Sequence, residues 1–159
     1  MIKKGIILAG GKGTRLSPLT KVLNKQLLPL YDKPLIFYPL SVLMLAEIKD
    51  ILIITNRGET NLFKKILGNG KNLGIKISYK EQKKPNGLPE AFIIGEKFIK
   101  NQSVALILGD NFFYGQGFTN SIKEKIQENR GATIFTYIVN NPSDYGIVEL
   151  DKNNKIKNI

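Results

Sequence analysis

The stretch Gly5-Ile6-Ile7-Leu8-Ala9-Gly10-Gly11-Lys12-Gly13-Thr14-Arg15 constrains the fold more than any other part of this chain. Ile6 to Ala9 is a continuous apolar run, as expected for a central parallel strand buried on both faces. It passes straight into a turn with three glycines. Glycine tolerates positive φ and carries no Cβ, so this backbone can curl tightly and bring its N–H groups close to an anion. Arg15 and Lys25 add formal positive charge beside those dipoles, a combination that suits a polyphosphate. Glycines serving turn geometry alone would leave the two cations unexplained.

Strands and helices alternate beyond the loop. Leu35 to Glu47 reads as a helix, with Pro39 tolerated near its first turn. Ile51 to Thr55 is a second buried strand, and Leu62 to Leu67 a short helix closed by Gly68-Asn69-Gly70. Ile75 to Glu81 and Val104 to Leu108 read as strands, with a helix from Leu88 to Ile99 between them. Ser121 to Glu128 reads as a helix, Thr133 to Val139 as a fifth strand and Gly146 to Leu150 as a sixth. This rhythm predicts an α/β fold with a Rossmann-like, doubly wound, mostly parallel sheet, and with sites at the carboxyl ends of its strands. The glycine loop, Gln82 and Asp110 each follow a strand, so they should converge on one rim.

Composition bounds the chemistry. The 159 residues fit one domain with a real core. The absence of cysteine and histidine excludes disulfides, thiolate metal sites and imidazole catalysis. No apolar run is long enough to span a membrane and no secretory leader is evident, so a cytoplasmic address is the expectation. The net charge of +11 raises a nucleic-acid reading, but the lysines are scattered and only Arg15, Arg57 and Arg130 are arginines. A nucleic-acid surface would show a clustered stripe interleaved with aromatics. The basicity reads as a lysine- and asparagine-rich compositional bias, with steering of anionic substrates a secondary benefit.

Two familiar phosphate motifs fail on spacing. A P-loop needs four residues between its first glycine and Gly-Lys-Ser/Thr, whereas here the lysine lies among the glycines. The dinucleotide fingerprint would need glycine where Leu16 stands, and an acid at the end of the second strand, where the chain reads Thr55-Asn56-Arg57. What remains, Gly10-Gly11-Lys12-Gly13-Thr14-Arg15-Leu16-Ser17-Pro18-Leu19-Thr20 with Lys25-Gln26-Leu27-Leu28-Pro29, resembles the signature of the sugar-1-phosphate nucleotidylyltransferases. Leu30-Tyr31-Asp32-Lys33-Pro34, Tyr38-Pro39-Leu40, Ala91 to Glu96, Leu108 to Gly115 and Asp144 to Glu149 extend the likeness, which points to the glucose-1-phosphate thymidylyltransferase branch.

That resemblance implies roles for particular residues. Leu8, Gly10, Gly11, Gly13, Thr14, Arg15 and Gln26 would hold the nucleotide, and Gln82, Pro85 and Gly87 its base. The Gln82 amide donates and accepts at once and so can read the imide edge of thymine or uracil. Leu88, Leu108, Tyr145 and Gly146 would meet the hexose. Arg15, Lys25 and Asp110 would carry catalysis, with Asp110 also the ligand of Mg2+, a hard cation suited to one or two carboxylates plus phosphate oxygens. On residues alone Asp110 reads rather as a cap or turn for the following segment, and it is the matching motif that favours the metal role, with Gly109 before it leaving room for a ligand. Pro89-Glu90 replace the Ala-Gln found in many members, a change expected to touch only the helix start. The implied substrates are dTTP and glucose 1-phosphate, and the implied full-length assembly is a homotetramer. The end of the chain reads as a hairpin strand cut short. The resemblance is therefore to the nucleotide-binding part of the enzyme, before the Glu-x-Lys-Pro segment, the second metal aspartate and the rest of the sugar lobe. A non-catalytic nucleotide-binding fragment, or a UDP- or ADP-sugar enzyme, stays open at this point.

Overall fold

In the computed structural model, residues 2–84, 86–153 and 155–158 are described. The chain separates into two units, Met1–Glu128 and Asn129–Ile159. The first runs β1 (Lys4–Ala9), β2 (Pro29–Leu30), β3 (Lys33–Pro34), α1 (Phe37–Leu45), β4 (Asp50–Asn56), α2 (Thr60–Leu67), β5 (Lys76–Gln82), α3 (Glu90–Ile99), β6 (Val104–Leu108) and α4 (Phe118–Glu128). Four strands form one sheet in the order β5-β4-β1-β6, every pair parallel.

The apolar runs explain this sheet. Side chains alternate between faces along a strand, so a strand covered on both sides must be apolar at every position. Ile7 and Ala9 of β1, with Ile51 and Ile53 of β4, join a core with Leu40 and Leu43 of α1, Phe63 of α2 and Ile122 of α4. Ile6, Leu52 and Ile54 point the other way, into a cluster with Ala91 and the half-buried Ile94 and Phe98 of α3. Ile6, Ile7, Ile51, Ile53 and Ile54 are wholly buried, each stabilising the fold by about 1.5–3 kcal/mol. Helices therefore cover both faces, as the sequence pattern predicts. α1 keeps Pro39 inside its first turn, where no N–H is needed, and α2 buries Phe63 and Leu67 before Gly68 stops it.

Two expectations need correction. Thr133 to Val139 forms no strand, and only Glu149–Leu150 (β7) of the sixth predicted strand pairs, antiparallel, with Ile156–Asn158 (β8). The β-branched and aromatic content of Thr133-Ile134-Phe135-Thr136-Tyr137-Ile138-Val139 favours a pleated surface only when a neighbour takes its N–H and C=O groups. Among the described residues no segment pairs with it, and Ile134, Phe135, Tyr137 and Ile138 are exposed. Among the described residues no helix is long and apolar enough to cross a membrane.

Candidate functional site

The sheet order reverses at β1, with β4 and β5 on one side and β6 on the other, and ligands of open α/β sheets bind where such a reversal opens a crevice. The glycine loop leaves β1 at this point and Asp110 follows β6. The two strands stay paired up to Leu8↔Leu108, and the Gly109 N–H donates to the Leu8 carbonyl at 2.9 Å. A cleft of about 340 Å³ lies above them. It is lined by Gly10, Gly11, Gly13, Thr14, Arg15, Leu16, Lys25, Gln26 and Asp110.

Local chemistry shapes the cleft wall. Gly13 takes φ +58° and leads into the 3-10 turn Thr14–Leu16. A Cβ there would come within 2.8 Å of Thr20 Cγ2, while the Thr20 hydroxyl donates to the Gly13 carbonyl at 2.8 Å. Asn24 caps the 3-10 turn Lys25–Leu27, its Oδ1 accepting the Gln26 N–H at 2.9 Å. That cap sets Lys25 facing Asp110, Nζ to Oδ2 at 2.7 Å. Both side chains are about one third exposed (33% and 32%), so the pair adds no more than about 1 kcal/mol to stability.

Three carboxamides back the loop. Asn24 Nδ2 donates to the Ala9 carbonyl at 3.4 Å, Gln26 Nε2 to Gly10 at 3.3 Å and Asn56 Nδ2 to Gly11 at 3.1 Å. Asn56 Oδ1 accepts the Gly11 N–H at 3.0 Å, so in this structure that amide is committed to Asn56. Glu59 Oε2 accepts from both Asn24 and Asn56. None of these roles for Asn24, Asn56 or Glu59 is anticipated from the sequence. The available signals are Asn24 at a cap position before Lys25-Gln26, and Asn56 at the strand end where dinucleotide folds carry an acid. Gln26 is 3% exposed, and its Oε1 is a buried acceptor with no hydrogen-bond partner among the described residues.

The remaining predicted residues are distributed as follows. Leu8 and Leu108 are paired at the ends of β1 and β6. Gln82 closes β5 at 5% exposure and lies over Gly10, where a Cβ would be 2.7 Å from its Cδ. Gly87 has φ +99° and Leu88 is exposed in the turn before α3. Neither lines the cleft. Pro85 lies outside the described residues. Tyr145 and Gly146 belong to the second unit, where Tyr145 meets Tyr137 edge-on at 6.4 Å. The space at Gly109 is not left for a ligand: a Cβ would be 2.8 Å from Gln26 Cγ and 3.1 Å from Ala9, so the glycine admits the Gln26 side chain instead.

Among the described residues no group of three or more histidine, cysteine or acidic side chains gathers to hold a metal, and Asp110 is the one carboxylate among the residues lining the cleft. One carboxylate fits a magnesium ion that arrives on phosphate oxygens and retains waters. A second hollow, about 540 Å³, lies between α2 and β5 and includes Lys64, Gly68 and Tyr79. Burial pushes the Tyr79 phenol up to about 12, and its hydroxyl donates to the Gly68 carbonyl at 2.6 Å, closing the end of α2. That hollow contains no anion-binding loop.

Known proteins share this arrangement. Residues 4–159 match the family described as nucleotidyl transferase. A glucose-1-phosphate thymidylyltransferase of Neisseria meningitidis is 58% identical over 150 residues, 94% of this chain and 52% of its own length. Those of Xanthomonas campestris and Mycobacterium tuberculosis are 51% and 54% identical, covering 99% and 92% of this chain and 53% and 50% of their own lengths. The chain thus spans about half the length of the curated relatives it matches. A Bacillus anthracis structure solved in complex with sucrose superposes with a TM-score of 0.87 at 36% identity, over 97% of this chain and 62% of that one. A UDP-glucose pyrophosphorylase complexed with UDP-glucose gives 0.63 at 31% identity, over 80% and 54%. With its parallel four-stranded sheet and its glycine loop at the reversal of winding, the chain belongs to the nucleotidyl transferase family.

Proposed function

We propose that this cleft binds dTTP and that the chain provides the nucleotide side of a glucose-1-phosphate thymidylyltransferase, which joins dTTP and glucose 1-phosphate into dTDP-glucose and pyrophosphate. One observation supports it most: Lys25 and Asp110, 85 residues apart in sequence, meet at 2.7 Å beside the glycine loop.

In this reading the sugar phosphate oxygen attacks the α-phosphorus in line, and the bond to the pyrophosphate leaving group breaks. Such transfers depend on positioning and charge stabilisation rather than on a covalent enzyme intermediate. Loop amides other than Gly11's, together with Arg15, hold the triphosphate and take up charge on departing pyrophosphate. Asp110 would hold Mg2+, which would supply charge screening to the nucleotide phosphates. Lys25 neutralises Asp110 now; with the carboxylate engaged elsewhere, its ammonium turns to the reacting phosphates. Gln26 lines the cleft and is assigned to the nucleotide by family likeness. Gln82 reads the base from above Gly10. Leu88 and Leu108 are assigned to the hexose by family likeness.

Release of pyrophosphate from dTTP plus glucose 1-phosphate tests the reading. Binding of dTTP with no release in the presence of both substrates would support a nucleotide-binding fragment, a reading favoured by the half-length match to relatives. Because Gln82 suits uracil as well as thymine, competition between dTTP and UTP decides the nucleotide.

A further inference from the structure

We infer that Asn56, tied through Glu59 to Asn24, is a positioning residue that holds the glycine loop in its anion-binding shape and in register with the Lys25 turn. The inference rests on the nucleotide-binding reading above and adds the device that preorganises it. Asn56 pairs with Gly11 as a neighbouring strand's peptide would, accepting its N–H at 3.0 Å and donating to its carbonyl at 3.1 Å. Gly11 sits at φ +102° with nothing within 4 Å of a notional Cβ. The glycine is therefore needed for its backbone angle rather than for space, and a side chain from β4 secures an angle that would otherwise be one of many.

The three successive carbonyls of Ala9, Gly10 and Gly11 all accept from carboxamide N–H groups. The first two bonds are long at 3.4 and 3.3 Å, so the two-bond clamp on Gly11 is the firm point. Engaging those oxygens reduces the repulsion that bare carbonyls would exert on a phosphate and leaves the remaining loop N–H dipoles to face it. Glu59 completes the device. Its Oε2 accepts from Asn56 at 3.0 Å and from Asn24, whose own Oδ1 caps the turn that carries Lys25. One carboxylate thus joins the two segments that supply the amides and the ammonium of the cleft.

The test uses the full chain. dTTP binding is measured by calorimetry and amide exchange at Gly11 by NMR, with Ile53, deep in the sheet, as internal reference. Asn56→Ala should raise the dTTP dissociation constant about tenfold and speed Gly11 exchange about tenfold, the factor carried by roughly one net hydrogen bond, with Ile53 unchanged. Asn56→Asp keeps the acceptor for Gly11 but sets a second carboxylate against Glu59, and should weaken binding as well. Adding Glu59→Gln to it removes the repulsion between the two carboxylates, and should recover part of both losses. Wild-type exchange at Gly11 in Asn56→Ala overturns the inference. So does equal acceleration at Gly11 and Ile53, which marks general loosening, or a double variant no better than Asn56→Asp. If Asn56→Ala does not fold, the Asn56→Asp and double-variant comparison decides alone. Failure of the wild-type chain to bind dTTP would sink the proposed function, and Gly11 exchange would still decide whether the clamp holds the loop.

Discussion

Gly10→Ala separates base recognition from triphosphate binding within one loop. An added methyl would lie 2.7 Å from Gln82 Cδ and 2.8–2.9 Å from its amide nitrogen and oxygen. Ordinary carbon contacts need about 3.5–4.0 Å, so the carboxamide must move by about 1 Å. It is the far end of a flexible side chain, so the displacement costs the fold only about 0.5–1.5 kcal/mol, the range of an off-rotamer side chain. In the proposed base contact the amide makes two hydrogen bonds, each net bond contributing about 0.5–1.5 kcal/mol. Losing both weakens dTTP binding by about 1–3 kcal/mol, roughly 5- to 150-fold. Calorimetry with dTTP and with inorganic tripolyphosphate reads the two parts separately. The dTTP affinity should fall while the tripolyphosphate affinity holds. An equal fall in both would refute the reasoning, because it would show a collapsed loop rather than a displaced base reader.

The other predictions concern charge and space. Arg15→Ala should lower kcat far more than it weakens dTTP binding; equal losses would show that Arg15 supplies only uniform binding. Lys25→Met should change the unfolding free energy by no more than about 1 kcal/mol, because its pair with Asp110 is one third exposed, yet cut turnover by about 100-fold or more. Gly109→Ala should cost about 1–3 kcal/mol in denaturant unfolding, since its methyl meets Gln26 and Ala9 in a filled space.

The frame of this fold was legible where burial on both faces forces an unbroken apolar run. Ile6 to Ala9, Ile51 to Thr55 and Val104 to Leu108 announce strands of a parallel sheet, and all three are found in place. The gathering of Arg15, Lys25 and Asp110 around one cleft follows from those strands, since each residue leaves the same rim. The β2–β3 ribbon and the 3-10 turns were not legible, because pieces of two or three residues carry no periodicity. Thr133 to Val139 has strand chemistry but no strand partner among the described residues, and composition cannot report pairing. The Asn24–Glu59–Asn56 bridge escaped for a related reason. Polar residues at separate loop ends declare a network only once the backbone brings them together. Gly109 was read as room for a ligand because sequence does not show that Gln26 fills the gap.

The dissociation constant of dTTP, measured with and without Mg2+ for the wild-type chain and for Asp110→Asn, tests most directly whether this cleft gathers a metal-bound triphosphate. Mg2+ should tighten dTTP binding to the wild type and give no such gain in Asp110→Asn, whose freed Lys25 should let metal-free dTTP bind at least as well as before. The same Mg2+ gain in both proteins would contradict the assignment of Asp110 and of the cleft it shares with Lys25.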